Sequence, residues 1–137
     1  MLSHPILDKH DIIAWDMDGT LIDGVNSKQF IAYINQHFRK KHYVITFRDA
    51  VWGATVELEL EEAGLRPGRI EKVICNPTGR STAGFEVRDF KGQAAKGVGA
   101  TILVDDMPNS VEAGCIKAGV EYLDARLLSS RPKNKND

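Results

Sequence analysis

Two short apolar runs, Ile12-Ile13-Ala14-Trp15 and Ile102-Leu103-Val104, each end directly in acidic residues. A run that is apolar at every position is typical of a strand covered on both faces, because a half-exposed strand alternates apolar and polar side chains. Such strands occur in parallel sheets, whose connections are helices that cover the faces. The two runs therefore predict an α/β fold.

The rest of the chain alternates predicted strands with predicted helices. Ser27 is expected to cap the first helix, and the Pro and Gly residues of 76–90 favour a loop with a small hairpin around 85–87. Further strands are predicted at 43–47, 72–75, 100–104 and 120–123, and further helices at 50–63, 90–96 and 108–118. This order predicts a doubly wound parallel sheet of about five strands with helices on both faces.

Composition narrows the class of protein. The 137 residues, 42% apolar and 27% charged, fit one globular domain spanning 1–137, with a flexible tail from about 126. A net charge of −1 argues against a surface built wholly for nucleic acid. The sequence has no apolar run long enough for a membrane span and no signal-peptide pattern, and its two cysteines lack metal or disulfide spacing. We expect a cytoplasmic protein with no membrane partner.

Acidic residues follow the first and fourth predicted strands. Asp16 and Asp18 belong to Asp16-Met17-Asp18-Gly19-Thr20, and Asp105-Asp106 follow the later strand. The carboxyl ends of parallel strands share one edge, so these carboxylates should meet there and repel one another unless a cation binds. Oxygen ligands without a His or Cys cluster favour Mg²⁺. The alternatives are a solvated turn for the first pair and helix capping for the second.

In this order the motifs resemble those of the haloacid dehalogenase (HAD) superfamily of phosphohydrolases, over about residues 11 to 124. The first motif is Asp16-Met17-Asp18-Gly19-Thr20-Leu21, and the second is Val44-Ile45-Thr46. The third is a lone lysine, and the fourth is Ile102-Leu103-Val104-Asp105-Asp106. The resemblance implies a Mg²⁺-dependent phosphatase that forms an aspartyl phosphate.

Roles follow from the resemblance residue by residue. Asp16 would be the nucleophile, Asp18 the general acid and base, and Thr46 a donor to the phosphoryl oxygens. Lys91 is favoured over Lys96 as the lysine, because its spacing from the fourth motif leaves room for a helix. The metal ligands would come from Asp16, Asp18, Asp105 and Asp106, with Asn109 as the alternative to Asp106.

The spacing of the motifs leaves no room for a cap domain. Only 27 residues separate Asp18 from Thr46, and 44 separate Thr46 from Lys91. An open crevice suggests that a bulky substrate or a neighbouring subunit of an oligomer covers the site.

The segment after the second motif resembles capless phosphatases of the polynucleotide 3'-phosphatase kind. The resemblance lies in Thr46-Phe47-Arg48, in Thr55 and in Glu62-Ala63-Gly64-Leu65, although Phe47 stands where that group commonly has Gly. Arg48 has two interpretations: it binds a phosphate of the substrate, or it bridges to a surface carboxylate.

Two other features bear on a nucleic-acid partner. The basic cluster, His37, Arg39, Lys40, Lys41 and His42, follows the first predicted helix. It fits a solvated helix end better than a nucleic-acid contact. Trp52, with apolar residues four and eight positions later, fits core packing better than a base-stacking platform.

Three functions are compatible with this pattern. The leading hypothesis is a hydrolase of phosphomonoesters, with a nucleotide or a nucleic-acid end among the substrates considered. The second is a phosphotransferase with the same aspartyl phosphate and an alcohol acceptor. The third is a receiver-like module that is phosphorylated on Asp for signalling.

Overall fold

The structure is a computed structural model and describes residues 2–76 and 85–127. Its strands are β1 (Ile12–Trp15), β2 (Lys41–Asp49), β3 (Lys72–Asn76), β4 (Ile102–Asp105) and β5 (Glu121–Asp124). Its helices are α1 (Ser27–Gln36), α2 (Gly53–Glu62), α3 (Phe85–Gly97) and α4 (Pro108–Ala118). Short 3-10 turns at Leu7–Lys9 and Ala50–Trp52 precede β1 and α2.

All five strands are parallel and form one sheet in the order β3-β2-β1-β4-β5. The chain builds outward from β1 through β2 to β3, and then returns to the other side of β1 for β4 and β5. The direction of winding therefore reverses between β1 and β4. In open α/β sheets this switch point opens a crevice at the carboxyl ends of the strands. The predicted fold class is confirmed.

Helices cover both faces of the sheet. The first face packs against α1 and α2 through Phe30, Ile34 and Leu60, and the second packs against α3 and α4 through Ala95 and Val111. Successive residues of the central strands alternate between the two clusters: Ile13, Trp15, Ile102 and Val104 belong to the first, and Ala14 and Leu103 to the second. This alternation explains why the central strands are apolar at every position.

The ends of α4 follow local sequence rules. Pro108 occupies the first helical position, where a missing backbone N–H costs no hydrogen bond. Gly119 ends the helix in the left-handed region, at a φ of 79°, where a side chain would be strained. These signals bound α4, which begins two residues after Asp106.

Three local predictions were wrong. The hairpin expected around 85–87 is the first turn of α3, which begins at Phe85 and not near residue 90. Trp52 does not pack in the core, since 56% of its surface is exposed. Ser27 is the first residue of α1 but does not cap it. The Ser27 hydroxyl donates to the Thr20 carbonyl oxygen and accepts from the Gly24 N–H, so Ser27 joins the preceding loop to the helix.

Parts of two predictions lie outside the described residues: 77–84 of the predicted loop, and the tail beyond Leu127. No helix in 2–76 or 85–127 is long and apolar enough to cross a membrane.

Candidate active site

Asp16 and Asp105 lie side by side at the switch point of the sheet. Asp16 directly follows β1, and Asp105 is the last residue of β4. The backbone N–H of Asp16 donates to the carbonyl oxygen of Val104 at 2.9 Å, which extends the pairing of the two strands by one step. The register of two buried strands thus places both carboxylates at one point of the crevice.

Lys91 joins the two carboxylates. It comes from α3, and its Nζ donates to Asp16 Oδ1 at 2.6 Å and to Asp105 Oδ2 at 2.8 Å. Only 1% of its side chain is exposed. Lys96, the other lysine considered from the sequence, is an exposed residue in the last turn of the same helix. The structure therefore brings Lys91, and not Lys96, to the acidic residues.

Charge and burial oppose each other at this ion pair. Burial raises the pKa of Asp16, and Asp105 adds to that rise, while the ammonium of Lys91 opposes it. Burial also acts to lower the pKa of Lys91, but the two carboxylates outweigh it and the net shift is upward. Lys91 thus offsets only part of the cost of burying Asp16, whose pKa rises to about 7, whereas the two carboxylates outweigh the cost of burying Lys91.

Asp106 completes a cluster of three carboxylates. One oxygen from each of Asp16, Asp105 and Asp106 lies within 4.8 Å of the other two. The Oδ1 atom of Asp106 is buried and accepts no hydrogen bond from the described residues. A buried carboxylate oxygen without a donor fits a cation, and an all-oxygen set fits Mg²⁺. Asn109, the alternative to Asp106, is exposed.

The loop after β1 is shaped around Asp106. Gly19 has a φ of 83°, and a Cβ atom at this position would overlap the Asp106 carboxylate. The positive φ therefore favours glycine at this position of the Asp16-Met17-Asp18-Gly19-Thr20 sequence, and any side chain here would have to displace the Asp106 carboxylate.

Thr46 is buried near the carboxyl end of β2, but it does not end the strand, which continues to Asp49 with a shift of register after Thr46. Its Oγ1 accepts the Arg48 backbone N–H at 3.1 Å. Trp15 pairs with Val44, so Thr46 lies one residue further along its strand than Asp16 does along β1. Thr46 is therefore a buried residue on the neighbouring strand, near the same edge of the sheet as Asp16.

Asp18 lies apart from the three-carboxylate cluster. Its side chain is 56% exposed, and both of its oxygens accept hydrogen bonds from the Arg48 guanidinium, from Nε at 3.0 Å and from Nη2 at 2.8 Å. Arg48 also donates to Glu59 of α2. The interpretation of Arg48 as a bridge between surface carboxylates describes this geometry. The carboxylate of Asp18, included among the expected metal ligands, is not in the cluster that could hold an ion.

The basic cluster lies far from this site. Lys41 is the first residue of β2, at the amino edge of the sheet, whereas Thr46 and Arg48 lie near the other end of that strand. The five strand steps from Lys41 to Thr46 span about 17 Å. Lys40 donates to the carbonyl oxygens of Asp8 and His10, and His42 is fully buried. These residues do not line the crevice.

Comparison with known proteins supports the fold. No protein-family model matches the sequence, and no curated protein matches it. A crystal structure of an uncharacterized protein from Corynebacterium glutamicum ATCC 13032 Kitasato is similar, with 16% identity, a TM-score of 0.52 and 83% of each chain covered. This likeness shows the fold alone.

The solution structure of the core domain of a candidate phosphoglycolate phosphatase from Streptococcus pneumoniae TIGR4 is more weakly similar. It has 11% identity and a TM-score of 0.49, over 88% of this chain and 82% of that one.

Three residues at the site were not found from the sequence. Glu59 bonds to Arg48, Tyr122 donates to Asp105, and the ring centroid of Phe47 lies 4.4 Å from the Nζ of Lys91. Phe47 was noted only as a departure from a family pattern. No local signal singles out Glu59 among the acidic residues of α2, or Tyr122 within its strand, because their contacts depend on how the elements pack.

Proposed function

We propose that this chain is a Mg²⁺-dependent phosphomonoester hydrolase of the haloacid dehalogenase type, acting through an aspartyl phosphate on Asp16. The observation that supports it best is the position of Lys91, whose ammonium bonds to both Asp16 and Asp105 at the switch point of the sheet. A buried nucleophile, a buried cation and two further carboxylates at one edge match the needs of phosphoryl transfer.

Asp16 is the proposed nucleophile. One oxygen of its carboxylate forms a bond to phosphorus while the ester P–O bond breaks, and the electron pair of that bond leaves with the alcohol oxygen. Lys91, and Thr46 through its hydroxyl, would bind the phosphoryl oxygens and balance their charge. A Mg²⁺ ion held by Asp16, Asp105 and Asp106 would supply further charge neutralisation when bound.

Asp18 is the proposed general acid and base. In the first step its carboxyl gives a proton to the departing alcohol oxygen, and in the second it takes one from the water that attacks the aspartyl phosphate. Its place on the exposed loop, two residues after the nucleophile, suits a group that must reach both a leaving group and water.

Phosphate release from p-nitrophenyl phosphate tests the proposal. We expect release to require Mg²⁺ and to fall at least 1,000-fold, on the order of the loss seen when a nucleophile is removed, in Asp16→Asn. This substitution keeps the size of the side chain. Lys96→Met, which removes an exposed charge in the last turn of α3, is the control and should keep full activity. Activity that persists in Asp16→Asn, or that ignores chelation of Mg²⁺, would overturn the assignment.

The two alternatives from the sequence give different outcomes. A phosphotransferase would transfer the phosphoryl group to an added alcohol in preference to water. A receiver-like module would accumulate a long-lived phospho-Asp, but the strand order does not favour it. In the flavodoxin-like order 2-1-3-4-5, β1 lies between β2 and β3, whereas here it lies between β2 and β4.

For the substrate we propose only the class of phosphomonoesters. A panel of phosphorylated metabolites, nucleotides and 3'- or 5'-phosphorylated oligonucleotides would test the resemblance to polynucleotide phosphatases. Preference for a 3'-phosphorylated oligonucleotide over a nucleotide supports it, and preference for a small metabolite contradicts it. Because the basic cluster lies at the far edge, any oligonucleotide contact should involve the rim around Arg48 and Trp52 instead.

A further inference from the structure

The guanidinium of Arg48 is held between two carboxylates from different elements. Its Nε and Nη2 donate to the two oxygens of Asp18. Its Nη1 donates to Glu59 Oε2 at 2.6 Å, and Nη2 also donates to Glu59 Oε1 at 3.2 Å. All three guanidinium nitrogens are thus engaged, and each carboxylate is bound in the two-point manner that fixes the plane of an arginine.

Arg48 connects Glu59 to Asp18. Asp18 lies on the loop after β1, Arg48 lies near the end of β2, and Glu59 belongs to the helix that follows. In the part of the chain that the structure describes, Arg48 is the only donor to the Asp18 carboxylate. The orientation of Asp18 therefore depends on where the guanidinium is held, and the guanidinium is held from its other edge by Glu59.

The partial exposure of these side chains makes the second carboxylate important. The Arg48 side chain is 27% exposed and that of Asp18 is 56% exposed. A single ion pair at such a surface holds its partners weakly, because two long side chains lose entropy when they are ordered. Two-point bonds on both edges of one guanidinium restrict it far more, and they leave it little freedom to turn towards a substrate phosphate.

We propose that Glu59 is a positioning residue, which acts through Arg48 to hold Asp18 in the orientation for proton transfer to the leaving group. This inference rests on the proposed function. When the Asp18 carboxyl carries its proton, one oxygen bears that proton towards the alcohol oxygen and the other keeps a bond from Arg48. As the P–O bond breaks, the proton passes to the alcohol oxygen, and the resulting carboxylate recovers both bonds.

The dependence on the leaving group separates this role from a structural one. A p-nitrophenolate ion departs without a proton, whereas an alkoxide needs one. We expect Glu59→Gln to lower kcat/KM for alkyl phosphates by about 10- to 100-fold, part of the typical contribution of a general acid. For p-nitrophenyl phosphate, kcat/KM should change less than about threefold. Glu61→Gln, a change of the same kind at an exposed position of α2, should affect neither substrate.

A second readout does not need activity. In wild-type protein we expect the Arg48 Nε–H to give a resolved NMR signal that exchanges slowly with water, and Glu59→Gln should speed that exchange at least tenfold. An equal loss of kcat/KM for every leaving group, or unchanged kinetics and exchange, overturns the inference and leaves the proposed function standing. Absence of Mg²⁺-dependent activity in wild-type protein overturns the proposed function, and with it this role in proton transfer.

Discussion

Asp105 is held by donors on both of its carboxylate oxygens. Its Oδ1 accepts the Met107 N–H at 2.7 Å and the Tyr122 hydroxyl at 3.1 Å, while Oδ2 accepts from Lys91. The Tyr122 hydroxyl also lies 2.9 Å from the Asp105 carbonyl oxygen. Burial raises the pKa of Tyr122, and Asp105 raises it further, so the phenol keeps the proton it donates. Groups that orient a metal ligand in this way commonly affect metal affinity.

Tyr122→Phe should therefore weaken the Mg²⁺ binding that we propose for this site. The change removes one donor to Asp105 and keeps the ring, so we expect affinity to fall by about tenfold, at the lower end of the range for such partners. Isothermal titration calorimetry with Mg²⁺ measures this. Tyr33→Phe is the matched control, because it removes a partly buried hydroxyl that bonds to Asp8, away from the site. Equal affinities in wild type and Tyr122→Phe would show that the backbone N–H of Met107 is sufficient to orient Asp105.

For individual residues, the sequence predicted the positions of buried side chains better than the contacts of exposed ones. Asp16 and Asp105 follow buried strands, so strand register alone brings them together, and the structure places them there. The partner of Asp18 is a long side chain on another strand, and its choice depends on the packing of α2. A pattern of residue types carries no information about that choice.

At the level of elements, Lys91 depends on the close packing of α3 against α4. A Cβ atom on Gly114 would overlap the Arg88 carbonyl oxygen, and one on Gly92, the neighbour of Lys91, would overlap the Gly114 carbonyl oxygen. The two helix backbones therefore approach more closely than side chains would permit. This contact fixes the spacing between α4 and α3, the helix that carries Lys91.

Gly114→Ala should destabilise the protein and displace α3. Overpacking of this kind typically costs about 1–3 kcal/mol. Denaturant unfolding followed by circular dichroism measures the loss. Gly97→Ala is the control, because Gly97 ends α3, the helix that packs against Gly114, and a Cβ at Gly97 meets nothing within 4 Å. It should leave the free energy of unfolding unchanged or raise it by about 0.4–1 kcal/mol, as Ala restricts the unfolded chain. Similar losses in both variants would argue against a specific contact.

The start of α3 was the helix boundary least predictable from the sequence. Short apolar runs defined β1 and β4 well, and Pro108 with Gly119 bounded α4. The first turn of α3 follows a segment with Pro77, Gly79 and Gly84, whose turn signals outweigh a weak helical pattern. The helix gains its stability from packing against α4, which local propensity does not report.

Across the whole molecule, a neutral histidine in the core links stability to pH. His42 is fully buried, its Nδ1 accepts the Trp15 indole N–H, and its Nε2 donates to the His37 carbonyl oxygen. Burial lowers the pKa of His42 to about 4 from 6.5. Between these values the unfolded chain binds a proton that the folded chain does not, so stability falls as the pH falls through this window.

The free energy of unfolding should therefore fall by about 3 kcal/mol more in wild type than in His42→Gln between pH 6.5 and pH 4. Above about pH 7.5 the contribution of His42 hardly varies with pH, because the imidazole is then neutral in both the folded and the unfolded chain. Urea unfolding at intervals across this range measures the two curves, and other titrating groups contribute equally to both. Curves that run parallel over the window would contradict a neutral buried imidazole.

The two tryptophans of the chain differ sharply in their surroundings. Trp15 is fully buried directly before Asp16, whereas Trp52 is exposed after β2. Intrinsic fluorescence should therefore combine a blue-shifted and a red-shifted emitter. Trp52→Phe would leave a single tryptophan next to Asp16, the proposed nucleophile, so the protein would report events at its own crevice optically, without an attached dye.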